Sequence, residues 1–199
     1  MEAGSAKIMS GALEKEKSVA QKPDTVLVKA AINGNADSFT ELCRRYYPAM
    51  VAIAHSILGD RHLAEDAAQQ AFAKAALKLP QLKKESRFAG WLAVICRNIA
   101  KDMARNVGAG LRVCPTDDLS MIAAESRDDD TAETVREAIS KLSASARELI
   151  FLRYYDGMSY EQISAVLGIS EQAINGRLRR AKKKMADYLR RNGFGEVRL

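Results

Sequence analysis

Apolar residues return every three or four positions along most of this chain, which is the period of a helix with one buried side. The pattern starts near Thr25 with Val26, Leu27 and Ala30 and continues through Phe39, Leu42, Tyr46, Met50, Ile53 and Ile57. Pro48 falls inside it, where a missing N–H and a ring clash predict a kink or a new first turn. Gly59 and Asp60 predict a stop and a fresh start, since glycine accepts a left-handed final turn and aspartate caps free N–H groups. A second stripe follows in Ala64, Ala68, Ala71, Phe72, Ala75 and Leu79, closed by Pro80. After the loop "PQLKKESR" a third apolar face is carried by Phe88, Trp91, Ile95, Ile99 and Met103. No strand pattern of comparable length appears, so residues 25–106 are expected to form a helical bundle.

Beyond Asn106 the periodicity is lost. Residues 107–131 mix Gly, Pro, Ser and acids and read as a flexible linker, and residues 1–24 read as a disordered leader. Helical spacing resumes in a second lobe over 132–199, where Ser145 and Ser159 are expected to cap helices, Ser145 in a capping box with Glu148. The expected fold class is all-α, with two helical domains joined by an acidic flexible linker.

The second lobe ends in "SYEQISAVLGISEQAINGRLRRAKKKM". Tyr160, Ile163, Val166 and Leu167 give a short helix one apolar side, Gly168 permits a left-handed turn, Ile169 plugs the core, and Ser170 caps a helix starting near Glu171. That is helix-turn-helix spacing. At about 100° per residue, turning Ile174, Leu178, Ala181 and Met185 inward turns Gln172, Gly176, Arg179, Arg180 and Lys183 outward, with Asn175 on the flank. Arginine pairs with guanine and amides pair with adenine in the major groove, while glycine allows close approach. Lys182 and Lys184 are expected at phosphates, which add affinity without sequence choice. A basic helix face can also be merely solvated. Here a glycine turn, two caps and the basic side coincide, which favours DNA reading.

Charge sharpens the picture. The 199 residues carry a net charge of +6, and residues 171–191 alone hold eight basic and two acidic side chains. Residues 106–134 hold two basic and seven acidic ones. One end is thus suited to a polyanion and the connector is not. No apolar run approaches the roughly 20 residues of a spanning helix, and the start lacks a secretory signal, so no membrane insertion and a cytoplasmic location are expected. Cys43, Cys96 and Cys114 are too few and too scattered for a disulfide framework or zinc site, and read as idle thiols. His55 and His62 have no neighbouring ligand pattern, and neither a phosphate loop nor a nucleophile triad stands out. No cofactor, metal or catalytic activity is expected, and each His is assigned an ordinary surface or packing role.

A helix-turn-helix recurs in activators, repressors and polymerase subunits, so the first lobe has to decide the function. There, "AEDAAQQAFAKAALKL" followed by "FAGWLAVICRNIAKDMARN" resembles region 2 of the sigma-70 family, specifically the extracytoplasmic function group. The second lobe resembles that group's region 4, with "ISEQAINGRLRRAKKKM" similar to its Ile-Ser, Val-Lys-Ser-Arg-Leu and Arg-Ala pattern; Asn175 and Gly176 replace the common Lys-Ser pair. The likeness runs from about Thr25 to Arg191, with both motifs in the family's order.

The resemblance implies a sigma factor that binds core RNA polymerase and directs it to promoters. It places Glu65, Asp66, Gln69, Gln70 and Ala73 on the helix that docks on the polymerase clamp. The helical wheel itself turns Asp66, Gln70 and Ala73 away from the bundle, although acids in a first turn also suit the helix dipole with no partner. The resemblance further implies that the -10 promoter element is read as melted single strand, with one base turned into a pocket near residues 80–87. The contacts assigned to it are Leu82, Lys84, Arg87, Trp91, Arg97, Asn98 and Arg105, with Lys83 adding charge. Trp91 has two readings, a core residue by its spacing to Ile95 and Ile99 or a stacking platform. The -35 element is assigned as duplex to Gln172, Asn175, Gly176, Arg177, Arg179, Arg180 and Lys183. The implied partners are core RNA polymerase, promoter DNA and an anti-sigma factor, with the free chain a monomer. Two rival functions are a free-standing helix-turn-helix regulator and a sigma mimic that sequesters an anti-sigma factor; a mimic has no need of the basic recognition helix.

Overall fold

The computed structural model of the chain describes residues 19–106 and 129–194. Residues 1–18 of the leader, residues 107–128 of the linker with Cys114, and residues 195–199 lie outside the described residues. The first lobe contains α1 (Asp24–Ile32), α2 (Ala36–Leu58), α3 (Arg61–Lys78) and α4 (Phe88–Asn106). Two 3-10 turns, Leu79–Gln81 and Glu85–Arg87, bracket the loop between α3 and α4. The second lobe contains α5 (Asp129–Ser140), α6 (Ala144–Ile150), a π turn (Phe151–Tyr155), α7 (Tyr160–Leu167) and α8 (Glu171–Arg191). The last residues assigned to the linker are therefore helical in α5.

Local chemistry sets the boundaries. Gly59 ends α2 in the left-handed region at φ 70°, and the Asp60 side chain accepts from the Leu63 N–H to open α3. Pro48 neither breaks nor restarts α2, which stays helical for 23 residues. Its exposed ring lies on the solvent side, opposite a well-packed inner face. Ser159 opens α7 in a reciprocal box with Gln162. The cap expected at Ser145 is instead made by Ser143, which accepts from the Ala146 N–H. The two serines stand two residues apart, and Glu148 is drawn away from any capping box by an arginine of the other lobe.

Apolar faces converge on one continuous core that includes both lobes. α2 lies at its centre: every residue from Ala49 to Ser56 is buried, so this helix is covered on all sides. α1, α3 and α4 cover it from within the first lobe, and α6 and the π turn cover its remaining face. Val26 departs from the expected stripe, being 47% exposed, while Leu27 and Val28 take the buried positions. Phe88 is fully buried with Tyr46 edge-on at 5.7 Å and Trp91 at 6.1 Å, which fixes the start of α4. At the other end of the lobe, Arg45 joins Asp24 (2.6 Å) to Glu41 (2.7 Å), and the Tyr46 hydroxyl donates to Asp24.

Candidate nucleic-acid interface

The recognition helix is positioned by its own apolar side. Ile174, Leu178, Ala181, Met185 and Leu189 are each at most 3% exposed. Gly168 takes φ 67°, which lets α7 end and the chain turn sharply, and Ser170 accepts from the Ala173 N–H to start α8. Gln172, Asn175, Arg177, Arg179, Arg180 and Lys183 are consequently exposed, and Gly176 is half-buried beside the Arg180 guanidinium. Lys182 lies over the Tyr154 ring at 5.6 Å, and the Lys184 ammonium donates to the Lys141 carbonyl at 2.5 Å. Both lysines therefore have internal contacts that the sequence did not indicate. Arg177, Arg180 and Lys184 also line a cleft of about 440 Å³ with Ser143 and Ser145.

The second surface is built from the α3–α4 loop and α4. Lys84, Arg87 and Asn98 are exposed and Leu82 is half-buried against the core. Trp91 is half-buried, stacked neither on solvent nor fully inside, so its ring both packs beside Phe88 and borders open space. With Lys83, Lys84, Arg87 and Gly90 it lines a cleft of about 870 Å³ whose far wall is Ala165 and Gly168 of the second lobe. Arg105 is exposed and pairs with Asp102 one turn earlier. Arg97 differs from the others: its guanidinium is bound to Glu148 of α6 at 2.7 Å, and the pair is largely shielded from solvent.

On α3, Asp66, Gln69, Gln70 and Ala73 are exposed along one side, while Ala67, Ala68, Ala71 and Phe72 are buried on the other. Glu65 sits at the edge, paired with Arg61 at 3.1 Å. Leu77 extends the exposed side and is itself 82% exposed.

One functional element was not legible as such. His55 is fully buried and lies between lobes, its ring 4.9 Å from that of Phe151 and 5.2 Å from that of Tyr155. In sequence it is only a polar residue in an apolar stripe. The π turn that brings the two aromatic rings to it is closed by a hydrogen bond from the Asp156 N–H to the Phe151 carbonyl at 3.0 Å. Burial pushes the Asp156 carboxyl up to about 6. It also raises the Cys43 thiol to about 11 and the Cys96 thiol to about 12, leaving both protonated at neutral pH. Among the described residues no group of three or more His, Cys, Asp or Glu side chains could hold a metal ion. Among them, too, no helix is long and apolar enough to cross a membrane.

These features define a class: an all-helical, two-lobed protein with a helix-turn-helix in the second lobe and a basic cleft in the first. Residues 42–109 match the family described as Sigma-70 region 2, and residues 132–185 match Sigma-70, region 4. The chain belongs to the sigma-70 family of RNA polymerase sigma factors, in its ECF group. It is 28% identical over 159 residues to the ECF RNA polymerase sigma factor SigE of Mycolicibacterium smegmatis, covering 76% of this chain and 62% of SigE. Another curated relative is covered over 37% of its own length, so the chain spans well under two thirds of both. CnrH, solved in complex with the cytosolic domain of CnrY, superposes with a TM-score of 0.59 at 28% identity, covering 85% of this chain and 99% of CnrH. The sigma factor RpoE, solved with the anti-sigma factor NepR from Bartonella quintana, gives 0.50 at 25% identity, covering 78% and 98%.

Proposed function

We propose that this chain binds core RNA polymerase and brings it to promoters, reading the -10 element as melted single strand with the first lobe and the -35 element as duplex with the second. The observation that carries this reading is the pairing, on one chain, of an outward basic recognition helix with a separate basic cleft on a sigma region 2 bundle. Arg179 and Arg180 are exposed at the positions from which guanidinium groups reach guanine edges, and Gln172 and Asn175 can address adenine. Arg177 and Lys183 supply charge for the flanking phosphates.

In the first lobe, Lys84 and Arg87 attract the strand, Leu82 and Trp91 give its bases apolar contact, and Asn98 hydrogen-bonds a base edge. Unstacking a base costs a few kcal/mol, which stacking and phosphate contacts offset. The exposed side of α3 from Glu65 to Ala73 presents acids and amides to a basic helix of the polymerase. The phosphodiester chemistry belongs to the polymerase, and the site of action is the cytoplasm where that enzyme works. By likeness to the RpoE complex, an anti-sigma factor is a further partner, and the free chain is a monomer.

Sedimentation of purified core enzyme with the full chain at low salt tests the reading. A stoichiometric complex is expected, weakened by Asp66→Lys without change in helicity. Retention of duplex binding with no core complex would leave a free-standing regulator instead.

A further inference from the structure

We propose that the second lobe closes the strand-reading cleft of the first, with Glu148 occupying Arg97 and the end of α7 walling the loop. On this proposal, single-stranded DNA enters only when the lobes part. It rests on the assignment of the α3–α4 loop and α4 to the melted strand.

Three independent features of the seam lead here. The first is chemical. A carboxylate on a guanidinium is the same charge-assisted pairing that a phosphate makes. Glu148 at 2.7 Å thus holds Arg97 in the contact a DNA backbone would need, and the pair is half-buried rather than freely exchanging at the surface.

The second is steric and electrostatic. Gly90, one turn into the face that borders the cleft, lies so near α7 that a Cβ there would stand 3.6 Å from the Val166 carbonyl oxygen and 3.9 Å from that of Ala165. These carbonyls belong to the last turn of α7, the negative end of its dipole. The wall opposite Lys83, Lys84 and Arg87 therefore narrows the cleft and repels an entering phosphate.

The third is what keeps the lobes together. His55 of α2 is fully buried against the Phe151 and Tyr155 rings, an apolar and aromatic latch well away from the cleft. Opening exposes those rings to water, so the closed form is the resting one until a partner that grips both lobes compensates for the exposure. Core polymerase, docking on α3 and reaching the second lobe, has that geometry under the function proposed above.

The test measures binding of a labelled oligothymidylate of about twelve nucleotides, within the usual span of a single-strand site, to the full-length chain. Glu148→Gln frees Arg97, and Tyr155→Ala loosens the latch without altering charge or touching the cleft. Both are expected to tighten binding about fivefold to tenfold, the scale of one partly exposed charge-assisted contact. Adding Lys84→Ala and Arg87→Ala should abolish the gain. Tighter binding by Glu148→Gln alone would reduce the effect to net charge and overturn the closure. No gain from either variant, with wild-type binding still dependent on Lys84 and Arg87, overturns the closure and leaves the strand-reading cleft in place. Binding indifferent to Lys84 and Arg87 in every variant overturns the cleft assignment itself.

Discussion

Replacing Asp156 by Asn should stabilise the protein at neutral pH and leave it unchanged in acid. Asp156 follows the π turn and is half-buried, and no described side chain donates a hydrogen bond to its carboxylate. Its pKa is raised from 3.8 to about 6 by burial alone. A group whose folded pKa lies above its unfolded one binds its proton more tightly when folded. Folding is therefore favoured fully below about pH 4, and stability falls as pH rises through 6. A displacement of about two pH units corresponds to at most about 3 kcal/mol at 1.36 kcal/mol per unit. Partial exposure and solvent screening reduce this to about 1 to 2 kcal/mol. The amide keeps the shape and removes the charge, so urea midpoints of Asp156→Asn and wild type should coincide near pH 4 and separate by that amount at pH 8. The scattering or fluorescence of the His55 latch should follow the same transition, because Phe151 and Tyr155 belong to the turn that Asp156 ends. Equal midpoints at pH 8 would refute the argument, as they would mean the carboxylate is solvated or partnered when ionised.

Four further outcomes follow from the same structure. Arg179→Ala should cost about 1 to 3 kcal/mol of promoter discrimination, visible as a loss of preference between cognate and scrambled -35 duplexes with little change in non-specific binding. Lys183→Ala should lower the slope of log affinity against log salt by about 1 if it meets one phosphate, whereas Lys184→Ala, whose ammonium is already bound to the Lys141 carbonyl, should lower it less. Leu77→Lys on the exposed side of α3 should weaken core polymerase association in a pull-down while leaving thermal unfolding unchanged. The Arg44 hydrogen bond and the neighbouring Arg45 hold the Glu41 carboxyl at about 2, below its ordinary 4.5. Its stabilising effect is complete above about pH 4.5 and is lost toward pH 2. Glu41→Gln should therefore reduce thermal stability at pH 7 and have no effect near pH 2, as read by circular dichroism.

The recognition helix could be read from the chain because everything that shapes it is local. Ile174, Leu178, Ala181 and Met185 repeat at helical spacing, Gly168 and Ser170 mark its start, and a helix of 21 residues fixes which side faces out. The same holds for α3, whose small buried alanines alternate with Asp66, Gln70 and Ala73. The seam between the lobes was hidden for the opposite reason. His55 and Phe151 are nearly a hundred positions apart, and each fits its own stripe without the other. A π turn adds one residue to a helical repeat and has no composition of its own. Glu148 resembles the third residue of a capping box from Ser145, yet a cross-lobe arginine wins it, since a paired guanidinium outweighs one exposed N–H. Arg97 was legible as a strand contact by charge, but its occupied state depends on that same distant residue.

The most direct measurement of the central claim is run-off transcription by purified core enzyme over a library of genomic fragments, with and without the full-length chain. Addition of the chain is expected to produce new transcripts whose start sites share two upstream sequence elements at fixed separation. Disrupting either element, or changing Arg179 in the second lobe or Arg87 in the first, should remove them. An unchanged transcript set would contradict the account.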